Sequence, residues 1–218
     1  MSVTAILPAA ICFDMDGTLV DSEHAWEVCE RELAHDAGVE WSAAQAREVF
    51  GTPIINTARA LVVAGVPGEP EVIAQELVRR VAAHHAEGPD WLPGSRELLE
   101  AVAAAGIPCA LVSSSYRPLL DPVLEEASIA FGASVAGDEV AQAKPHPEPY
   151  LAAAAALGAD AAHCVVVEDS VSGARAGRDA GMRVIAVPSD PADRPAFEAL
   201  GVEVVDSLAE IDLELLTR

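Results

Sequence analysis

Positive charge is the scarcest commodity in this 218-residue chain. Only 13 lysines and arginines stand against 35 aspartates and glutamates, a formal charge of −22. So negative a surface repels phosphate backbones and anionic headgroups, which argues against nucleic acid and membrane surfaces as partners. Lysine is nearly absent: Lys144 is the single one. A phosphorylated ligand would therefore have to meet local positive charge. The four cysteines, Cys12, Cys29, Cys109 and Cys164, make no C-x-x-C pair, and three of them sit in apolar runs. That pattern suits small buried hydrophobes, not a disulfide frame or a zinc site. No uninterrupted apolar run reaches the roughly 18 residues of a membrane span. The first basic residue is Arg31, so no basic segment precedes the apolar start. These absences predict a cytoplasmic globular protein without a leader, acting as a monomer.

What is present is apolar, at 51% of residues, far too much for a disordered chain. Short β-branched runs recur at Ala10–Asp14, Pro108–Ser113, Ala133–Ala136, Cys164–Glu168, Arg183–Val187 and Val202–Val205. Their brevity suits strands buried on both faces. Between most of them lie amphipathic helical stretches: Gly94–Ala105, Pro118–Ala127, Glu148–Leu157 and Val171–Ala180. Gly106, Gly158 and Gly181 follow three of these, where a left-handed C-terminal residue is wanted. This alternation predicts an α/β fold with a doubly wound, mainly parallel, Rossmann-like sheet. From 21 to 90 the pattern is helical only, at Glu23–Ala37, Ser42–Val49, Ile54–Ala64 and Glu69–Ala86. An all-helical cap over 21–90 is therefore expected, inserted after the first strand of a core built from 1–20 and 91–218.

Chemistry concentrates at four places. Asp14 and Asp16, in DMDGT, stand two apart at the end of the first strand and project to the same side of an extended chain. Unpaired they would repel, so a cation or a reaction must justify them. A plain surface turn is the alternative. Glu168 ends the fourth apolar run and Asp169 follows it, before Ser170 and Gly173; helix capping is the alternative there. Four carboxylates at neighbouring strand ends make a hard-cation site, and oxygen ligands beside an anionic substrate favour Mg²⁺. Lys144 opens KPHPEPY, whose prolines would hold its ammonium in place. Ser113, Ser114 and Ser115 follow the strand CALV, where hydroxyls and free amides can cradle phosphate.

Taken in order, DMDGT, Ser113, Lys144 and Glu168-Asp169 resemble the four motifs of the haloacid dehalogenase (HAD) superfamily, across essentially the whole chain. DMDGTLVDSE, LPGSRELL and VVEDSVSG are most similar to its sugar- and polyol-phosphate phosphatases, such as the hexitol and 2-deoxyglucose-6-phosphate phosphatases. The resemblance implies a HAD-like core with a small helical cap and a Mg²⁺-dependent phosphomonoesterase acting on a small phosphorylated metabolite. It implies Asp14 as nucleophile, forming an aspartyl-phosphate, and Asp16 as general acid and base. It implies Mg²⁺ on Asp14, the Asp16 backbone carbonyl and Asp169, with Glu168 a further or water-mediated ligand. Ser113, the Ser114 amide and Lys144 would bind the phosphoryl oxygens.

Within the superfamily the chain resembles, Asp16 and the acidic pair argue against the dehalogenases, and a cap without lysine rules out the phosphonoacetaldehyde hydrolases, which use a cap lysine as a Schiff base. A β-phosphoglucomutase is the rival, but that family's cap histidine and arginine correspond here to Trp26 and Ile54. A non-catalytic binding protein on the same fold is the remaining alternative. Glu23, His24, Trp26, Thr52 and Asn56 are the cap residues that could face substrate, and Arg117 could meet a second anionic group. His146 is expected to be structural. Cap hinges are expected near 20–22 and 89–94.

Overall fold

The computed structural model describes residues 7–49 and 54–217. After β1 (Ala10–Phe13) come α1 (Ser22–Asp36), α2 (Ala43–Val49), α3 (Ile54–Ala64) and α4 (Pro70–Glu87). The remainder alternates: α5 (Ser95–Ala104), β2 (Cys109–Val112), α6 (Arg117–Glu126), β3 (Ala133–Val135), α7 (Glu148–Ala156), β4 (Cys164–Glu168), α8 (Val171–Asp179) and β5 (Arg183–Ala186). It closes with α9 (Arg194–Leu200), β6 (Glu203–Val204) and α10 (Leu213–Leu216). The strands form one sheet in the order β3-β2-β1-β4-β5-β6, and each neighbouring pair is parallel. Sheet growth reverses between β1 and β4, so the crevice at their carboxyl ends is where such a sheet binds ligands.

Period-2 alternation sorts the strand residues between two unequal faces. Ile11, Phe13, Leu111, Val167 and Ile185 point to one side, where Leu98, Leu99, Leu119 and Leu120 of α5 and α6 cover them. Ala10, Cys12, Ala110 and Val166 point to the other, against Tyr150, Ala153, Ala174 and Phe197 of α7, α8 and α9. Small residues let those helices sit close. A Cβ on Gly177 would stand 3.0 Å from Val184 and 3.1 Å from Val166. All four cysteines are buried and free.

The helices of 22–87 bury a cluster of their own, built on Leu33, Trp41, Leu61, Ile73 and Leu77. Ala25, Cys29 and Val81 instead join the core cluster beside Leu19, Val20, Leu119 and Leu120. The two segments linking helices to sheet run together: Asp21 N–H donates to the Asp90 carbonyl at 2.8 Å and Leu92 N–H to Leu19 at 2.9 Å. Among the described residues no helix is long and apolar enough to cross a membrane.

His85 lies on α4 where it meets α6. It is 1% exposed, its Nδ1 is 3.3 Å from the Leu119 carbonyl, and its Nε2 has no partner. Burial holds the imidazole below its ordinary pKa despite the Leu119 carbonyl, which opposes the shift. The unfolded chain therefore takes up a proton near pH 6.5 that the folded chain refuses. This contribution to stability is complete above about pH 6.5 and is lost as pH falls toward the depressed folded value. Urea unfolding at about pH 7.5 and 5 should show a smaller acid loss for His85→Gln than for the wild type. Equal losses would remove His85 from the account.

Candidate active site

Asp14 continues directly from β1, and the chain then turns back at Gly17, whose φ is +78° and whose N–H donates to the Val20 carbonyl at 2.9 Å. Only glycine fits: a Cβ there would stand 2.3 Å from Asp169 Oδ2. Asp14 is 6% exposed. Its Oδ1 accepts from Lys144 Nζ at 2.6 Å, while its buried Oδ2 has no partner among the described residues. Asp16 is half-buried, and its Oδ2 accepts from Ser113 Oγ at 2.6 Å. Ser113 itself extends the β2 ladder through Val135 and takes the Ser115 N–H on its hydroxyl at 2.8 Å.

Lys144 crosses from the β3–α7 loop to the tips of β1, β2 and β4. Its three donors go to Asp14 Oδ1, to Glu168 Oε1 at 2.8 Å and to the Val112 carbonyl at 2.9 Å. The Tyr150 ring lies 4.8 Å from the ammonium, and the Tyr150 hydroxyl donates to Glu168 Oε1 at 3.0 Å. Glu168 Oε2 accepts from the Ser170 N–H at 2.8 Å and its hydroxyl at 2.9 Å. A carboxylate has about four acceptor positions, so Glu168 is satisfied by the protein alone. Ser170 also caps α8 through the Gly173 N–H. Tyr150 was not singled out as a site residue in the sequence, although it ends the KPHPEPY segment.

Gly173 is the other residue whose role only packing reveals. A Cβ on it would lie 1.5 Å from Glu168 Oε1 and 2.0 Å from Cδ. Gly173→Ala must push Glu168 off Lys144 and Tyr150. The expected result is a fall of about tenfold or more in kcat/KM, by loss of hydrogen bonds to charged groups. An active Gly173→Ala enzyme would show that the Glu168–Lys144 contact is dispensable.

Asp14, Glu168 and Asp169 bring carboxylate oxygens within 4.8 Å of one another. Asp169 accepts from Thr18 Oγ1 at 3.3 Å. Burial, with Glu168 adding to it, pushes the Asp169 carboxyl up to about 7. Burial raises Asp14 as well, opposed by Lys144 and reinforced by Glu168 and Asp169. One ammonium against three buried carboxylates leaves negative charge uncompensated, and Asp14 Oδ2 is an empty-handed acceptor at its centre. These residues fit a hard divalent cation.

Several expectations need correcting. The cluster gathers three carboxylates and not four, because the Asp16 side chain turns to Ser113. Arg117 is committed elsewhere: Nε donates to Glu139 Oε1 at 2.8 Å and Nη1 to Ser134 Oγ at 2.9 Å. Asn56 is not among the cleft residues, since its neighbours Ile55 and Thr57 occupy the inward positions of α3 and its Oδ1 lies 3.5 Å from Arg59 Nη1. Thr52 lies outside the described residues. His146 accepts the Glu148 N–H on Nδ1 at 3.2 Å.

Above the strand tips opens a cleft of about 1180 Å³. Asp16, Ser114 and Lys144 line its sheet side, and Glu23, His24 and Trp26 of α1 line its helical side. A parallel α/β sheet with paired aspartates, a buried lysine and an acidic cluster at its switch point, roofed by helices, defines a capped phosphoryl-transfer hydrolase. The haloacid dehalogenase-like hydrolase model matches residues 8–181, and the chain belongs to that family.

The chain is 33% identical to hexitol phosphatase B of Escherichia coli K12 over 217 residues, covering 97% of each protein. It is 31% identical over 212 residues to the bifunctional riboflavin kinase/FMN phosphatase of Arabidopsis thaliana, covering 95% of this chain and 55% of that longer protein. The solved structure of a candidate β-phosphoglucomutase from Thermotoga maritima superposes with a TM-score of 0.83 at 28% identity, covering 95% of this chain and 97% of that one. The protein is thus an enzyme of the HAD phosphatase type.

Proposed function

We propose that the enzyme is a Mg²⁺-dependent phosphomonoesterase for a sugar or polyol phosphate, working through an aspartyl-phosphate on Asp14. The observation that carries it is the buried Asp14 carboxylate, with one oxygen held by Lys144 and the other unpartnered among the described residues, beside Glu168 and Asp169. Asp14 attacks phosphorus in line and the leaving alkoxide departs. Asp16, half-buried on the cleft wall, delivers its proton to that alkoxide. It then takes a proton from the water that releases phosphate. The Ser113–Asp16 hydrogen bond aims this carboxyl. Lys144 supplies fixed positive charge beside the nucleophile, and the Ser114 amide meets the equatorial oxygens, joined by Ser113 when its one O–H turns from Asp16 to the bound phosphoryl group.

Asp14, the Asp16 carbonyl and Asp169 are the residues that would hold Mg²⁺, which when bound neutralises charge on the transferring group. Glu168 acts one step removed. Its four protein donors leave it the task of fixing Lys144 and Tyr150. The segments at 20–22 and 89–94, hydrogen-bonded to each other, are the hinges on which the cap region 21–90 closes over the 1–20 and 91–218 core.

The test is phosphate release from a panel of sugar, polyol and nucleotide monophosphates, with Mg²⁺ and with chelator. Release confined to the Mg²⁺ arm and concentrated in sugar or polyol phosphates supports the reading. The likeness to a β-phosphoglucomutase fold favours one second reading, a sugar phosphomutase. Isomerisation without phosphate release, in assays primed with glucose 1,6-bisphosphate, would establish it instead.

A further inference from the structure

The helical side of the cleft holds two groups the reaction does not use. Glu30 sits on α1 at 7% exposure, beside the apolar cluster of Leu33 and Trp41. Its Oε2 accepts from Trp41 Nε1 at 3.0 Å; its Oε1 has no hydrogen-bond partner among the described residues, and Glu30 lines the cleft. Trp41 fixes one carboxylate oxygen, which leaves the other to accept from a ligand in the cleft. Arg47 on α2 is the second group. Arg31, Arg80 and Arg117 are each paired with an acid, whereas Arg47 lines the cleft and among the described residues has no hydrogen bond, ion pair or ring partner.

Around them the lining is acidic, through Asp21, Glu23 and Glu27. That charge disfavours a second phosphate. A carboxylate acceptor and a guanidinium donor in one cleft match a leaving group that carries several hydroxyls.

We propose that Glu30 and Arg47 form the subsite for the leaving alcohol. Glu30 accepts a hydrogen from one hydroxyl, held in place by Trp41, and Arg47 donates to the oxygen of another. The preferred substrate is then a polyhydroxylated monophosphate and not a bisphosphate. This rests on the phosphatase reading above, and the measurement separates the two.

The experiment compares kcat/KM for the best polyol or sugar monophosphate of the panel with that for p-nitrophenyl phosphate, whose leaving group carries no extra hydroxyl. In Glu30→Gln and in Arg47→Ala this ratio should fall about tenfold, carried by KM and not by kcat. Arg47→Lys should restore part of it. Glu30→Gln keeps an acceptor for Trp41, and Arg47 is exposed and makes no hydrogen bond or ion pair among the described residues. A purely structural role would lower both substrates together and leave the ratio unmoved, which overturns the subsite while the phosphatase stands. A wild type that prefers a sugar bisphosphate, with Arg47→Ala abolishing that preference, overturns it too. A wild type that hydrolyses neither monophosphate removes the phosphatase reading and the subsite with it.

Discussion

Asp14→Asn should lower phosphate release by at least about four orders of magnitude, the scale seen when a covalent nucleophile is removed, without lowering the melting temperature. Asparagine keeps the shape of Asp14 and can still accept from Lys144, but it cannot form an aspartyl-phosphate. Stability should hold because the charge on Asp14 is a burden to the fold. Burial disfavours the carboxylate, and Glu168 and Asp169 repel it, with Lys144 alone opposing them. Lys144 keeps Glu168 as an acid partner. Thermal melts beside single-turnover assays check both halves. A variant working at near-wild-type rate would end the covalent scheme, and one that fails to fold would end the claim that Asp14 is kept for chemistry at the expense of stability.

Lys144→Met should damage both properties at once. The ammonium is 3% exposed and lies between Asp14 and Glu168, so its removal leaves buried carboxylates without their cation. Breaking a buried pair in this way costs about 3–5 kcal/mol, a fall of roughly 6–20 °C in melting temperature for a chain this size. Activity should fall by about 10²–10³, as when one charge-stabilising donor is lost. Lys144→Arg should not rescue it, because a planar fork cannot reproduce three bonds made by one compact nitrogen. The double variant with Asp14→Asn should melt above Lys144→Met alone, since the two sites couple through a direct contact. Additive effects would mean that Lys144 does not balance Asp14.

Much of this architecture was legible before any coordinates. The runs at Ala10–Asp14 and Cys164–Glu168 announce buried strands because parallel strands covered on both faces need unbroken apolar sequence. The glycines after the helical stretches mark their ends because few other residues tolerate positive φ: Gly106, Gly158 and Gly181 adopt +69°, +66° and +79°. The C-terminal end of α3, at Ala64, coincides with the expected one. Helices α9 and α10 were not visible. Each is short, and α9 contributes one buried side chain, Phe197, so no periodic apolar stripe betrays it.

The site divides in the same way. Sequence alone determined which acids stand at the strand ends, because Asp14, Asp16 and Glu168-Asp169 follow their apolar runs at fixed, local spacing. Only the tertiary structure decided their partners. It turned Asp16 to Ser113, surrounded Glu168 with four donors, tied Arg117 to Glu139 and left Glu30 and Arg47 open in the cleft. Gly17 and Gly173 show the reason most plainly. Each is required by a side chain distant or inward in the fold, at 2.3 Å and 1.5 Å from a missing Cβ. The first approach arises where β1 meets β4 and the second where the β4–α8 turn folds Glu168 back on the helix, and a linear pattern holds no record of either.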